Sequence, residues 1–270
     1  MKKLYFDSSV RAVGNALEYF NNMSNFTLES KEKDTTRDLV SSMDLLVQEF
    51  IENELKDSGI PLLSEEMINN ISLYRDSKEL WILDPIDGTT NFVNQIKYFG
   101  IALGLIANGV PVAGVFGMPE TKEFFYTISE NTAYLNETKL QSINSSLEKS
   151  LIAVSFSSRK YLSDEERKAE FELFGEVNDS SRGCLRMGSA TANVCYTAAN
   201  RFGACYGHNS FIWDIAAGVA IAKAAGCSIY LSEVDDDFKI SYIIGASDAV
   251  NEIKEKMEAH LNVSLSRLKD

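Results

Sequence analysis

The motif WILDPIDGTTNF, which begins at residue 81, places two carboxylates next to a run of glycine and hydroxyl side chains. The apolar residues 80–83 predict a short buried strand, and the Asp-Pro pair that follows predicts its end, because proline fixes φ and cannot donate a backbone hydrogen bond. Asp84 and Asp87 then lie three residues apart on a turn, so both carboxylates and the Ile86 carbonyl can face one space. Oxygen ligands of this kind favour a hard cation such as Mg²⁺.

Gly88, Thr89 and Thr90 follow the second carboxylate and predict the start of a helix. Unpaired backbone N–H groups and the positive end of a helix dipole favour a bound phosphate at such a position. The same residues also suit a strand, a turn and a capped helix without any ligand, because surface acids usually face water. A shared metal and phosphate site therefore requires further ligands from other parts of the chain.

Further acidic residues lie where predicted elements begin or end. Residues 62–64 predict a short strand that ends at Glu65 and Glu66, and only one of these side chains should face inward, because neighbours in an extended chain point to opposite sides. Asp214 opens an alanine-rich predicted helix in the string WDIAAG, where an acid is also a common cap or dipole partner. Asp44 lies near the start of another predicted helix.

Together these strings resemble the signatures of the inositol monophosphatase family of magnesium-dependent sugar-phosphate phosphatases. DPIDGTTNF is similar to the family's central signature, and WDIAAG is similar to its second signature, W-D-x-A-A-G. The stretch from Lys33 to Asp44 is similar to K-x-x-x-x-D-x-V-T-x-x-D, with Ser41 in place of the usual threonine and without the customary proline. The SEE string at 64–66 is similar to the family's G-E-E, in which Glu65 is the ligand.

The resemblance implies two or three Mg²⁺ ions per active site, with Mn²⁺ as an alternative. One ion is held by Glu65, Asp84 and the Ile86 carbonyl in that arrangement. A second ion is held by Asp84, Asp87 and Asp214, so Asp84 bridges the two. Converging carboxylates repel one another unless cations lie between them, and an all-oxygen ligand set favours Mg²⁺ or Mn²⁺ over zinc.

The expected nucleophile is a metal-bound water, because no Cys, Ser or His is placed with a partner base for covalent attack. Thr89 and Asp44 resemble the pair that orients and deprotonates this water, and Glu65 is expected to serve catalysis as well as metal binding. Thr89 could equally be a simple helix cap, so its catalytic role depends on Asp44 reaching it across the cleft.

The substrate is expected to lie between the central motif and a second glycine-containing helix start. The backbone N–H groups of the central motif would receive the phosphate, and the string GSA at 188–190 matches the family's G-[ST]-A near the leaving group. The expected substrate-binding residues are Lys33, Gly88, Thr89, Thr90, Gly188, Ser189 and Ala190.

One position departs from the family pattern. Inositol-binding members carry a glutamate seven residues before the metal-binding aspartate, and this chain has Gly207 there. Tyr206, His208 and Asn209 are expected to surround the vacated space and to serve a different polyol. We therefore expect hydrolysis of a small sugar or polyol phosphate. The alternatives are fructose-1,6-bisphosphatase or histidinol-phosphatase activity, or a regulatory member of the fold without turnover.

The composition excludes several other classes of protein. With 270 residues and 45% hydrophobic residues the chain can bury a large core, while a net charge of −13 opposes general attraction to nucleic acid or to anionic membranes. The four cysteines form no C-x-x-C pair, so a zinc or disulfide scaffold is not expected. The sequence shows no apolar signal segment, so we expect a cytoplasmic protein. We also expect a homodimer.

Periodicity predicts a layered arrangement of helices and strands. A polar run at 21–36 predicts a long loop, Asp38 or Ser42 is expected to cap the second helix, and Asp248 is expected to cap the last one. We expect an α+β half at 1–145 that carries most metal ligands and an α/β half at 146–270 that completes the active site. The resemblance implies the layered α-β-α-β-α sandwich of the sugar phosphatase superfamily.

Overall fold

The computed structural model describes residues 2–22, 30–32, 39–67, 70–157 and 162–268. In these residues the helices are α1 (Lys2–Asn22), α2 (Ser42–Leu55), α3 (Ile71–Asp76), α4 (Thr89–Val93), α5 (Asp164–Asp179), α6 (Ala190–Ala198), α7 (Ala216–Ala224) and α8 (Ser247–His260). The strands are β1 (Ser30–Glu32), β2 (Leu39–Ser41), β3 (Leu62–Ser64), β4 (Glu79–Asp87), β5 (Gly100–Ala107), β6 (Val110–Met118), β7 (Glu123–Ser129), β8 (Thr132–Leu135), β9 (Thr138–Lys139), β10 (Ile152–Ser155), β11 (Cys184–Leu185), β12 (Ala204–Phe211), β13 (Ser228–Leu231), β14 (Lys239–Gly245) and β15 (Ser266–Arg267).

The first large sheet has the strand order β3-β4-β5-β6-β7-β8-β9, with β3 parallel to β4 and the other pairs antiparallel. Its strand β4 is buried on both faces. Trp81 and Leu83 pack in a core with α1 and α2, whereas Leu80 and Ile82 pack in a core with α6 and α7. Because successive residues of a strand face opposite sides, burial on both sides requires the continuous apolar run seen in the sequence.

The second large sheet has the order β11-β10-β12-β14-β13-β15. Helices α6 and α7 lie between the two sheets, and α5 and α8 cover the outer face of the second sheet. With α1 and α2 on the outer face of the first sheet, the layers run α-β-α-β-α. The predicted layered sandwich is confirmed.

The strand β4 does not end at the Asp-Pro pair, as the sequence predicted, but continues to Asp87. Asp84 lies opposite Ala102 and Asp87 lies opposite Gly100, so β4 has one residue more than β5 across this interval. This is a β-bulge, and a bulge tolerates proline because the ladder of hydrogen bonds is already interrupted there. The bulge re-aims the backbone between the two carboxylates.

Two smaller predictions are also corrected. Part of the predicted loop at 21–36 forms β1, which pairs with β2 in an antiparallel ladder. Asp248 does not cap α8. The N-cap is Ala246, and the backbone N–H of Asp248 donates instead to Asn144 Oδ1 at 3.1 Å. Asp38 lies outside the described residues.

We propose that the chain divides into halves near 1–145 and 146–270, because the first large sheet uses strands up to β9 and the second uses strands from β10 onward. The halves share the middle layer, since α7 packs against β5 and β6. Within the part of the chain that the structure describes, no helix combines the length and the apolar character that a membrane crossing requires.

Candidate metal centre

Three carboxylates meet at one edge of the first sheet. Oxygen atoms of Glu65, Asp84 and Asp214 all lie within 4.8 Å of one another. Glu65 follows β3 directly, and because β3 and β4 are parallel, their carboxyl ends reach the same edge, with Ser64 opposite Leu83. Asp214 ends a short 3₁₀ turn before α7, and its Oδ2 accepts a hydrogen bond from a backbone N–H three residues earlier at 3.0 Å. The structure thus brings these predicted ligands together.

Burial makes this group of carboxylates electrostatically costly. Asp84 is only 2% exposed, and its burial, followed by the charges of Glu65, Asp87, Asp214 and Asp44, raises its pKa well above the ordinary value. A cation between the carboxylates would remove this repulsion. An all-oxygen donor set fits Mg²⁺ or Mn²⁺, and no sulfur or nitrogen ligand belongs to the group in the described residues.

Asp87 lies in a different environment, because the first turn of α6 binds its carboxylate. Its Oδ2 accepts from Ser189 Oγ at 2.7 Å and from the Thr191 N–H at 2.6 Å, while Oδ1 accepts from the Ala190 N–H at 3.2 Å. Burial raises the pKa of Asp87 to about 6, although the bonds from Ser189 and Thr191 favour the ionised form. The structure does not place Asp87 in the three-carboxylate group, but Oδ1 keeps a lone pair for a cation.

Thr89 and Asp44 meet beside the carboxylates. Thr89 Oγ1 lies 3.4 Å from Asp44 Oδ1 and 3.0 Å from the Ile86 carbonyl oxygen. Asp44 is fully buried in the first turn of α2. The proximity that the catalytic hypothesis requires is therefore present, and the second lone pair of the Ile86 carbonyl stays available to a cation.

The turn before α4 is compressed against the second half of the chain. Gly88 has a φ of 95°, which favours glycine. A Cβ there would lie 3.1 Å from the Tyr98 carbonyl oxygen and 3.3 Å from Ser189 Cβ. Thr90 is exposed at the first turn of this short helix. The predicted phosphate-binding residues and the predicted leaving-group residues thus lie side by side.

Residues 188–190 have a role that the sequence did not reveal. Ser189 caps α6 by accepting from the Ala192 N–H at 3.2 Å, and both Ser189 and Ala190 donate to Asp87. Thr191, which was not predicted, also donates through its Oγ1 to the Asp214 carbonyl oxygen at 2.6 Å. The position of Thr191 in the first turn of a predicted helix could have indicated its N–H bond to Asp87, because the first N–H groups of a helix have no partner within the helix. Lys33 lies outside the described residues.

The prediction of open space beside Gly207 is wrong. A Cβ at this position would lie 2.7 Å from Cε1 of the buried Tyr242 ring. Tyr206 and His208 project to the other face of the sheet, where they line a small cavity together with Glu170 of α5. The alternation of side chains along β12 separates Gly207 from these neighbours, so they do not form one polyol pocket.

The fold and the site define a class of protein: a layered α/β sandwich with an oxygen-only carboxylate centre at a sheet edge, as in metal-dependent phosphatases. The chain belongs to the inositol monophosphatase family, whose profile matches residues 5–262. It is 31% identical over 198 residues to inositol monophosphatase 2 of Saccharomyces cerevisiae, covering 70% of this chain and 68% of that protein.

Two further comparisons extend this result. A Nus factor SuhB of Xylella fastidiosa is 27% identical over 224 residues, which cover 81% of this chain and 77% of that protein. The crystal structure of an IMPase/NADP phosphatase complexed with Mg²⁺ and phosphate shares the fold, with a TM-score of 0.81, 20% identity and coverage of 98% and 99% of the two chains. Family membership supports a metal-dependent phosphatase of this fold.

Proposed function

We propose that the protein hydrolyses a phosphomonoester of a small sugar or polyol in a Mg²⁺-dependent reaction. The observation that carries this proposal is the convergence of Glu65, Asp84 and Asp214 within 4.8 Å. It is supported by the contact between Thr89 and Asp44 beside the same group.

The ions would be held by the three converging carboxylates, by the Ile86 carbonyl and by Asp87 Oδ1. Bound Mg²⁺ supplies Lewis-acid stabilisation of phosphoryl oxygens and a water nucleophile that is reactive at neutral pH. We propose two ions, as the family resemblance implies, because Asp84 has two carboxylate oxygens and could contribute one to each ion. Mn²⁺ would be accepted by the same oxygen atoms.

Proton transfer falls to Thr89 and Asp44. Thr89 Oγ1 is placed to take a proton from the attacking water while its own proton passes to Asp44 Oδ1. The N–H groups of Gly88, Thr89 and Thr90 receive the phosphate. Because α4 has only five residues, these N–H groups act mainly as individual donors.

The alcohol part of the substrate is not recognised through a side chain at position 207. Gly207 offers no acceptor for a ring hydroxyl, and Tyr242 fills the space above it. We therefore expect inositol 1-phosphate to be hydrolysed more slowly than another sugar or polyol phosphate. Sugar bisphosphates and histidinol phosphate belong in the same test. The homodimer and the cytoplasmic location remain predictions.

The proposal is tested by phosphate release from a panel of sugar, polyol and bisphosphate esters with Mg²⁺ and with a chelator. We expect release that depends on Mg²⁺ and that Asp84→Asn abolishes, while the Asp57→Asn variant of an exposed acid retains activity. Release that continues with the chelator, or near-normal activity of Asp84→Asn, would contradict the metal assignment.

The second candidate is a regulatory protein that retains the fold and the metals without turnover. We consider this candidate because one relative of the chain is named Nus factor SuhB. A protein of that kind has no need for Thr89 and Asp44 in contact beside the carboxylates. Mg²⁺ binding without release from any ester in the panel would support this candidate instead.

A further inference from the structure

Asn91 joins two segments that meet at the proposed active site. It is the third residue of α4 and is 6% exposed. Its Nδ2 donates one hydrogen bond to the Tyr98 carbonyl oxygen at 2.7 Å and another to the Met187 carbonyl oxygen at 2.8 Å. Tyr98 shortly precedes β5 and Met187 shortly precedes α6. One amide group therefore connects α4 to both halves of the chain.

Met187, the second partner of Asn91, lies two residues before Ser189, which bonds to the predicted metal ligand Asp87. Gly188 has a φ of 87°, and a Cβ there would lie 3.0 Å from both Nδ2 and Oδ1 of Asn91. The amide plane thus lies against the peptide that enters α6. The next residue, Ser189, donates to Asp87 Oδ2 at 2.7 Å. The residues that contact the Asn91 amide, Met187 and Gly188, thus directly precede the residue that bonds to Asp87.

Tyr98, the other partner of Asn91, also contacts α6. The Tyr98 hydroxyl donates to Asn193 Oδ1 of α6 at 3.0 Å, and Asn193 Nδ2 donates to Ser155 Oγ at 3.3 Å. Asn193 is 1% exposed. Asn193 therefore connects α6 to the segment before β5 and to β10, and Asn91 bonds to the first of these segments as well as to the residue chain that enters α6.

We propose that Asn91 is a positioning residue that sets the start of α6, and through it Asp87, for metal binding and turnover. This role rests on the proposed function. A carboxamide suits it because its two N–H bonds point to two different carbonyl oxygens at once. Alanine would leave both carbonyls unpaired, and aspartate would bring acceptors against acceptors.

The test compares Asn91→Ala with Asn94→Ala. Asn94 is the C-cap residue of the same helix and is exposed, and its side chain donates to the Thr90 carbonyl oxygen at 2.8 Å. We expect Asn91→Ala to lower kcat by about ten- to a hundredfold, the scale of a small displacement at a reacting centre. It should also weaken Mg²⁺ binding measured by calorimetry without substrate. Asn94→Ala should change neither quantity more than about twofold.

A second variant disturbs the same contact while leaving the Asn91 amide in place. Gly188→Ala adds a Cβ 3.0 Å from that amide and also strains a backbone with a φ of 87°, so it should reproduce the loss of kcat and of Mg²⁺ affinity. If both changes act through one contact, the double variant loses less than the product of the single losses. Unchanged kcat and Mg²⁺ affinity in Asn91→Ala would overturn the proposal.

The calorimetric measurement also keeps the two proposals distinguishable. If the natural protein releases no phosphate from any ester, the proposed function fails, while the Mg²⁺ affinities of Asn91→Ala and Gly188→Ala still test the positioning role. If the natural protein is active and both variants bind Mg²⁺ and turn over as it does, only the positioning role fails.

Discussion

Thr89 has two acceptors for a single hydroxyl proton. The Ile86 carbonyl lies at 3.0 Å and Asp44 Oδ1 at 3.4 Å, so proton transfer to Asp44 requires the hydroxyl to turn from the nearer acceptor to the farther one. This geometry is compatible with a proton relay and also with a simple cap of the turn. Substitution of Thr89 separates the two roles, because only loss of a proton relay would lower kcat strongly.

We expect Thr89→Ala to reduce kcat by about 10²–10⁴-fold, the usual scale for a positioned proton-transfer group. Mg²⁺ binding should persist, since none of the three converging carboxylates is removed. Thr89→Ser keeps the hydroxyl and is the matched control, so it should retain most activity. Steady-state kinetics decide the matter: a rise in KM with unchanged kcat would make Thr89 a phosphate contact only.

Gly207 is constrained by packing. The Tyr242 ring lies where a side chain at position 207 would begin, so Gly207→Ala should destabilise the fold by about 1–3 kcal/mol through overpacking. The variant Tyr242→Leu removes the ring and should reduce this penalty when the two changes are combined. Urea unfolding of the three variants measures the effect. Additive losses would show that the two residues do not compete for space.

At the scale of elements, α6 does more than fill the layer between the sheets. Its first turn supplies two backbone N–H groups and the Ser189 hydroxyl to Asp87, and the Thr191 hydroxyl to the Asp214 carbonyl. The proposed metal ligands Asp87, on β4, and Asp214, before α7, therefore both bond to the start of one helix. The bulge in β4 also affects how the two carboxylates are placed, because it inserts one extra residue between Asp84 and Asp87 relative to β5.

Ser189→Ala removes both the cap of α6 and one bond to Asp87. We expect a loss of about 1 kcal/mol in the free energy of unfolding, as is usual for a cap, together with a lower kcat. Ser189→Thr retains a hydroxyl and should preserve most of both properties. Chemical denaturation and kinetics on the same samples provide the comparison. A stability loss with fully normal kcat would limit Ser189 to the capping role.

At the scale of the whole molecule, the protein carries a net charge of −13, and three of its acidic residues meet in one cluster around the buried Asp84. A cation that binds only the folded state stabilises it by linkage, at about 2.7 kcal/mol when the free ion is a hundredfold above its Kd. We therefore expect Mg²⁺ to raise the Tm.

General screening of surface charge would also raise the Tm, so NaCl at matched ionic strength is the control. Specific binding predicts a larger shift with MgCl₂ than with NaCl, and the difference should largely disappear in Asp84→Asn. Equal shifts with both salts, measured by thermal unfolding, would argue against a structured cation site.

The sequence by itself determined the chemical types at the centre. Asp84, Asp87 and the glycine and threonines after them lie in one short window, so their order along a strand and helix start could be inferred locally. The apolar run before them predicted a short buried strand, and the layered fold followed from the resemblance that these strings carry. Such features depend on neighbours in sequence, and for that reason they were predictable.

Only the tertiary structure decided which groups surround each carboxylate. Asp87 is bound by a helix start more than a hundred residues away, and the space at Gly207 is occupied by a ring from the neighbouring strand. Asn91 also depends on distant partners, since its bond to Met187 spans 96 residues. These contacts arise from the packing of two sheets against a shared helical layer. No local pattern specifies them, because each residue type would suit many other surroundings equally well.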